Sequence, residues 1–235
     1  MHMQHAFSVM LTKEEIEQLA GRYHFTDADL FQIQGIYKEV ERILAPTLYY
    51  RVFTKENGLC FINYDTYAVC VVTLGREIDE LQYHYSMKER IADAYIVECL
   101  GMELLSKAYQ YVAEILWQET GLWAGKYDFL GEQFSLEWMQ EIFDSLLQRE
   151  VTYNKAYMLT PKKSVVYITQ LTKKRQSSSC HICSNCTNVT CQNRIVEEQG
   201  EKDKDTASEK HINYSYGYQR IFGKHMPGNG GKHEQ

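Results

Sequence analysis

Four cysteines, Cys180, Cys183, Cys186 and Cys191, form the densest chemistry in the chain, spaced by two, two and four residues. Thiolates that bind one metal must converge, and two Cys separated by two residues do so on a tight turn. Four such ligands suit tetrahedral zinc or an iron–sulfur cluster, and His181 offers one more donor. The spacing falls near the bacterial ferredoxin run but not on it, because that run ends in a three-residue gap followed by Pro. It also lacks the two well-separated ligand pairs of a zinc finger. A redox-active thiol group and uncommitted thiols remain the alternatives, whereas a structural disulfide set is disfavoured in a reducing cytoplasm. Cys60, Cys70 and Cys99 are scattered among apolar residues and read as small core residues.

Outside this cluster no catalytic constellation stands out. His24, His84, His211, His225 and His233 lie far apart without H-E-x-x-H spacing, and no nucleophile elbow, Walker loop or G-x-G-x-x-G fingerprint occurs. Glu14/Glu15 and Asp93/Glu98 read as carboxylates on helix surfaces. Lys162-Lys163 beside Pro161 can meet an anionic ligand or simply crown an exposed turn. Lys173-Lys174-Arg175 is too short to signal nucleic-acid binding.

The elements that must position these residues are legible in part. Thr12-Lys13-Glu14-Glu15 is a capping-box pattern for a short helix that Gly21 ends. Thr26-Asp27 starts a second helix, with Leu30, Ile33, Tyr37, Val40 and Leu44 at helical spacing before Pro46. Leu59–Ile62 and Tyr67–Leu74 read as strands from their β-branched and aromatic content. A long helix from about Arg90 to Glu119 keeps a stripe of Ile91, Tyr95, Leu100, Leu104, Leu105, Ala108, Val112, Ile115 and Leu116 toward the core. Gly121–Gly125 breaks it, and Phe134–Leu147 forms another helix. Val151–Leu159 and Val165–Leu171 bracket Thr160–Ser164 as strand, loop and strand. Helices and strands mix without regular βαβ alternation. The expected class is therefore α+β, with mixed helices packed on an antiparallel sheet, followed by a Cys-rich knuckle and a flexible tail.

Charge divides the chain in the same place. Residues 173–235 carry 10 Lys+Arg and 7 Asp+Glu, a net of +3, while residues 1–172 carry 15 and 24, a net of −9. An acidic body argues against a nucleic-acid partner. No apolar run approaches the roughly 20 residues of a membrane helix, and Met1–Met10 lacks a signal peptide's apolar core, so a cytoplasmic location is expected. The expected organisation is a helical extension over 1–26, a body over 27–172, a linker and Cys cluster over 173–196, and a disordered tail over 197–235.

Five segments in order give the body a resemblance. Pro46-x3-Tyr50-Arg51-Val52-Phe53, Val72–Asp79 (V-T-L-G-R-E-I-D), the helix from Ala94 through Gly101 to Tyr111, Ser135–Phe143 and Tyr157–Val165 resemble the activation domain of cobalamin-dependent methionine synthase. The similarity spans roughly Asp27 to Thr172. Short free-standing bacterial relatives also end in a C-x2-C-x4-C-x2-R tail, to which Cys183, Cys186, Cys191 and Arg194 are similar, with Cys180 as an extra thiol.

The resemblance implies a role in methionine biosynthesis. Such a domain docks on a cobalamin (corrinoid) protein and presents S-adenosylmethionine, whose methyl group is captured as an external electron donor reduces oxidised cobalt. The hard chemistry belongs to the cofactors, and the domain is accessory to the methyltransferase, holding cobalamin only through its partner. The resemblance assigns Glu103, Ser106, Lys126, Tyr127, Gly131, Pro161 and Ser164 to the ligand groove. Lys126 stands at the position of the family's carboxylate-binding Arg, with Phe129-Leu130-Gly131 where Pro-Gly-Tyr belongs; an ungapped alternative sets Leu122 on the Arg and Tyr127 on the Tyr. Lys neutralises a carboxylate but cannot form the bidentate fork. Ser106 falls near the family's ammonium-binding Glu, and Glu103 lies one turn earlier. Altered anchors leave a second role open: a non-catalytic metal- or redox-sensing adaptor that has lost S-adenosylmethionine binding.

Overall fold

The structure is a computed structural model and describes residues 2–174. Cys180, Cys183, Cys186 and Cys191, and the whole of 197–235, lie outside the described residues. The strands are β1 (His2–Ala6), β2 (Thr47–Thr54), β3 (Thr66–Thr73), β4 (Trp123–Phe129), β5 (Thr152–Tyr153), β6 (Leu159–Thr160) and β7 (Ser164–Thr172). The helices are α1 (Lys13–Arg22), α2 (Leu30–Ile43), α3 (Glu77–Met87), α4 (Ile91–Thr120) and α5 (Met139–Leu146). Five strands form one antiparallel sheet in the order β1-β2-β3-β7-β4, and β5 pairs with β6 as a separate hairpin. The described chain is thus α+β. None of its helices is long and apolar enough to cross a membrane.

Strand β3 explains the layering. Its side chains alternate between the two faces of the sheet. Ala68, Cys70 and Val72 join a core with α1, α2 and α4, while Tyr67, Val69 and Val71 join a second core with α5. Both faces are covered, so the apolar run is continuous rather than alternating. Strand β7 divides likewise, Tyr167 and Leu171 to one side and Val166 and Ile168 to the other. Each fully buried Val, Leu or Ile contributes roughly 1.5–3 kcal/mol.

Local signals account for the helix limits. The Thr12 hydroxyl accepts from the Glu15 backbone N–H (3.2 Å), and the Thr12 N–H donates to the Glu15 carboxylate (2.6 Å), closing the capping box. Gly21, however, does not end α1. The helix runs to Arg22, and His24 takes the left-handed conformation (φ 61°) just beyond it. The Phe25 N–H bonds the Ala20 carbonyl (2.8 Å) and the His24 N–H that of Gly21 (3.3 Å), which is a Schellman closure. Helix α4 does stop at a glycine, Gly121, at φ 67°.

Several expected elements differ. Leu59–Ile62 is the irregular link between β2 and β3, where Phe61 stacks on Trp138 at 4.2 Å between centroids. A short apolar run packed under a helix has the same composition as a strand. Cys70 and Cys99 are buried as expected, but Cys60 sits exposed on that link. Ile91 and Tyr95 face solvent, because the core-facing stripe of α4 is carried by Leu100, Leu104, Ala108, Val112 and Leu116. Asp93 is buried rather than on the surface, held by Gln32 and Arg90. The segment over 1–26 supplies a strand as well as a helix, and Ile16, Leu19 and Ala20 of α1 join the first core.

Candidate functional site

A polar junction forms where the end of β3, the start of α3, the first half of α4 and the start of β7 meet. The pairing of Thr73 with Ser164 ends the β3–β7 ladder, and the Ser164 hydroxyl donates to Thr73 Oγ1 (2.8 Å). Immediately before it, past the cis Thr160–Pro161 peptide, two lysines part company. Lys162 is exposed, and its backbone N–H donates to Asp79 Oδ2 on α3 (2.6 Å). Lys163 is only 4% exposed and sends its ammonium to Glu98 on α4. The Gln82 amide from α3 donates to the other Glu98 oxygen (2.9 Å).

Gly101 makes this arrangement possible. A Cβ there would stand 2.6 Å from Lys163 Cε, so the lysine stem crosses α4 where the helix has no side chain. Burial pushes the Glu98 carboxyl up, but the Lys163 ammonium and the Gln82 amide outweigh it and hold the group below its ordinary range. Burial also pushes the neighbouring Cys99 thiol up to about 11, which makes it a poor nucleophile. Asp79 Oδ1 is buried without a hydrogen-bond partner among the described residues.

The residues assigned on resemblance fall in several places. Pro161 and Ser164 lie together at this junction, both buried. Glu103 is five residues beyond Glu98 on α4, hence about 140° round the helix. It faces α1, where its Oε1 takes the Arg22 guanidinium and accepts from the Tyr23 hydroxyl (3.3 Å). Ser106 is half-buried further along α4. Tyr127 is buried in the first core, edge-on to Tyr167 at 5.2 Å. Gly131 sits in an exposed turn at φ 88°, its N–H donating to the Phe134 carbonyl (2.7 Å). Lys126 is exposed on the outermost strand, in the irregular step between Ala124 and Tyr127 of the β4–β7 pairing. That step pairs near Gln170, about 20 Å along β7 from Ser164 at ~3.3 Å per residue.

Chemistry can be read from two of these contacts. Glu103 already holds a cation, the Arg22 guanidinium, and is engaged there. Ser164 is engaged with Thr73 and braces the strand end. Glu98, Gln82 and Asp79 carry no sequence pattern that marks them as site residues. The available signal was Asp79 at the end of V-T-L-G-R-E-I-D together with the Lys162-Lys163 pair, which the fold brings into contact. Among the described residues, no group of three or more His, Cys, Asp or Glu is placed to hold a metal ion.

No protein-family profile matches the chain, and no curated protein matches it in sequence. Among solved structures the chain is similar to the crystal structure of the MetH reactivation domain bound to AdoHcy, with 12% sequence identity and a TM-score of 0.46, over 75% of this chain and 80% of that one.

Proposed function

We propose that this chain acts as a reactivation module. It docks on a separate cobalamin (corrinoid) protein of the methionine synthase system and supports reductive methylation of that protein's cobalt. The observation that carries this reading is the convergence of three of the five resembling segments. Thr73 and Asp79 from the first, Glu98 and Gly101 from the second, and Lys162, Lys163 and Ser164 from the third meet in one polar junction. The hydrogen-bonded pairs are separated by 83, 65 and 91 residues, so their similarity in sequence is also a shared location in space.

S-adenosylmethionine supplies the methyl group, and an external donor supplies the electron that cobalt needs. The chain's own part is binding and positioning. Glu103 offers a carboxylate to the ligand's ammonium, Lys126 offers positive charge for a carboxylate, and the Lys163–Glu98 pair fixes α4 against β7. Ser106, Tyr127, Gly131, Pro161 and Ser164 complete the proposed ligand-binding set. In the tail, Cys180, Cys183, Cys186 and Cys191 are proposed to hold zinc or an iron–sulfur cluster.

The test mixes the full chain with a corrinoid protein in the cob(II)alamin state, a one-electron reductant and S-adenosylmethionine. Conversion of the visible spectrum to that of methylcobalamin, dependent on the chain, is expected. No conversion and no association with the corrinoid protein would sink the reading. For the tail, anaerobic purification with metal analysis separates colourless zinc from a coloured cluster. Cys183→Ser, Cys186→Ser and Cys191→Ser are expected to abolish whichever is present.

One contact favours a second reading. Glu103 is committed to Arg22 and Tyr23, as expected of a non-catalytic metal- or redox-sensing adaptor that keeps the fold and has given up the ligand. Full metal occupancy with no S-adenosylmethionine binding under any condition would select it.

A further inference from the structure

We infer that the last turn of α1 is a gate on the ligand site, closed when Arg22 and Tyr23 hold Glu103. This inference rests on the reading above, in which Glu103 receives the ligand's ammonium group. Glu103 has a side chain only 18% exposed, and its Oε1 receives both the guanidinium and the phenol. With Arg22 in place the carboxylate is neutralised, so an arriving ammonium gains little attraction. With Arg22 withdrawn, a mostly buried negative charge faces the same ligand.

The anatomy of α1 suits a gate rather than a permanent plug. Its first two turns are fastened: the Thr12–Glu15 capping box closes the start, and Lys107 on α4 holds both oxygens of Glu15 (2.7 and 2.6 Å). Ile16, Leu19 and Ala20 are buried. Beyond Ala20 the hold passes to Tyr23 and Phe25, partly buried against the first core, with Phe25 against Tyr95 at 5.6 Å between centroids. Gly21 has nothing within 4 Å of where a side chain would stand, and the Arg22 side chain is 33% exposed. His24, which has a Cβ, takes the left-handed conformation that favours glycine. Helix ends open locally before helix interiors do. Release of Arg22 and Tyr23 therefore leaves the rest of α1 docked.

Calorimetric titration of S-adenosylmethionine into the full chain, and into its Arg22→Ala and Arg22→Lys variants, tests the gate. Removing a partly buried ion-pair partner is expected to tighten binding by about twofold to fivefold in Arg22→Ala. Arg22→Lys, which keeps the cation, is expected to stay near the parent. Hydrogen exchange supplies an independent readout: ligand is expected to speed exchange of the amides of residues 21–25 while those of 15–20 remain protected. Equal affinity in all three chains with unchanged exchange would overturn the gate and leave ligand binding intact. Absence of binding in every chain, Arg22→Ala included, would overturn both the ligand reading and the gate.

Discussion

Lys163, buried where β7 begins, delivers its ammonium to the Glu98 carboxylate on α4, 65 residues earlier in the chain. The pair is unequal: the Lys163 side chain is 6% exposed and that of Glu98 37%. Most of the desolvation therefore falls on the lysine, and the carboxylate is what makes its charge tolerable there.

Removing the carboxylate alone is expected to be worse than removing both charges. Glu98→Gln leaves a buried ammonium without its counter-ion and is expected to lower stability by roughly 2 kcal/mol, a figure reduced for the exposure of Glu98. Lys163→Met combined with Glu98→Gln is expected to recover much of that loss, as read from urea midpoints. The pH dependence has a definite sign. The folded-state Glu98 carboxyl titrates below its ordinary value of 4.5, so its contribution is present above that pH. The contribution is lost as pH falls through the lower folded-state value. Glu98→Gln is expected to flatten this part of the acid limb.

Gly101 gives a sign-change test. In a helix interior Gly→Ala ordinarily stabilises by about 1 kcal/mol. Here the new Cβ would stand 2.6 Å from Lys163 Cε. Gly101→Ala is therefore expected to destabilise the parent but to stabilise a Lys163→Ala chain. A double-mutant cycle on thermal unfolding reads the coupling directly.

At the end of α1, His24→Gly is expected to raise stability by up to ~1 kcal/mol, because it relieves a left-handed residue that bears a side chain (φ 61°). An unchanged or lower melting temperature would show that the His24 side chain makes a compensating contribution.

On the far face of the sheet, the Tyr64 hydroxyl donates to buried Asp128 (2.6 Å). Burial first, and then the hydrogen bond to Asp128 and its charge, push Tyr64 up to about 12 from 10.0. A raised folded-state value places the stabilisation below pH 10.0, with loss as pH climbs toward about 12. Tyr64→Phe is expected to lose roughly 1–3 kcal/mol at neutral pH, since Asp128 forfeits a donor. It is also expected to reduce the alkaline loss, though only in part, because Tyr50, Tyr85 and Tyr127 are likewise pushed to about 12.

What could be read in the sequence followed strong periodicity. Ile33, Tyr37 and Val40 marked α2, and the run from Tyr67 marked β3, because one-sided or two-sided burial writes itself directly into residue type. Strand β4 was invisible: Trp123, Ala124 and Gly125 follow Gly121 and look like a helix break, yet pairing with β7 makes them a strand. The polar junction was hidden for another reason. Asp79, Glu98 and Lys163 have the composition of surface residues, and only the crossing of α3 and α4 over the start of β7 turns them inward. Lys162 and Lys163 are the clearest case, since adjacent identical residues meet opposite environments once β7 begins.

Coverage of the main sheet on both sides has one more consequence. With helices α1, α2 and α4 against one face and α5 against the other, the central strands β3 and β7 are covered on both sides among the described residues. A flat macrocycle or a partner protein has only the rim to approach: the outermost strands, the ends where loops emerge and the outer flanks of the helices.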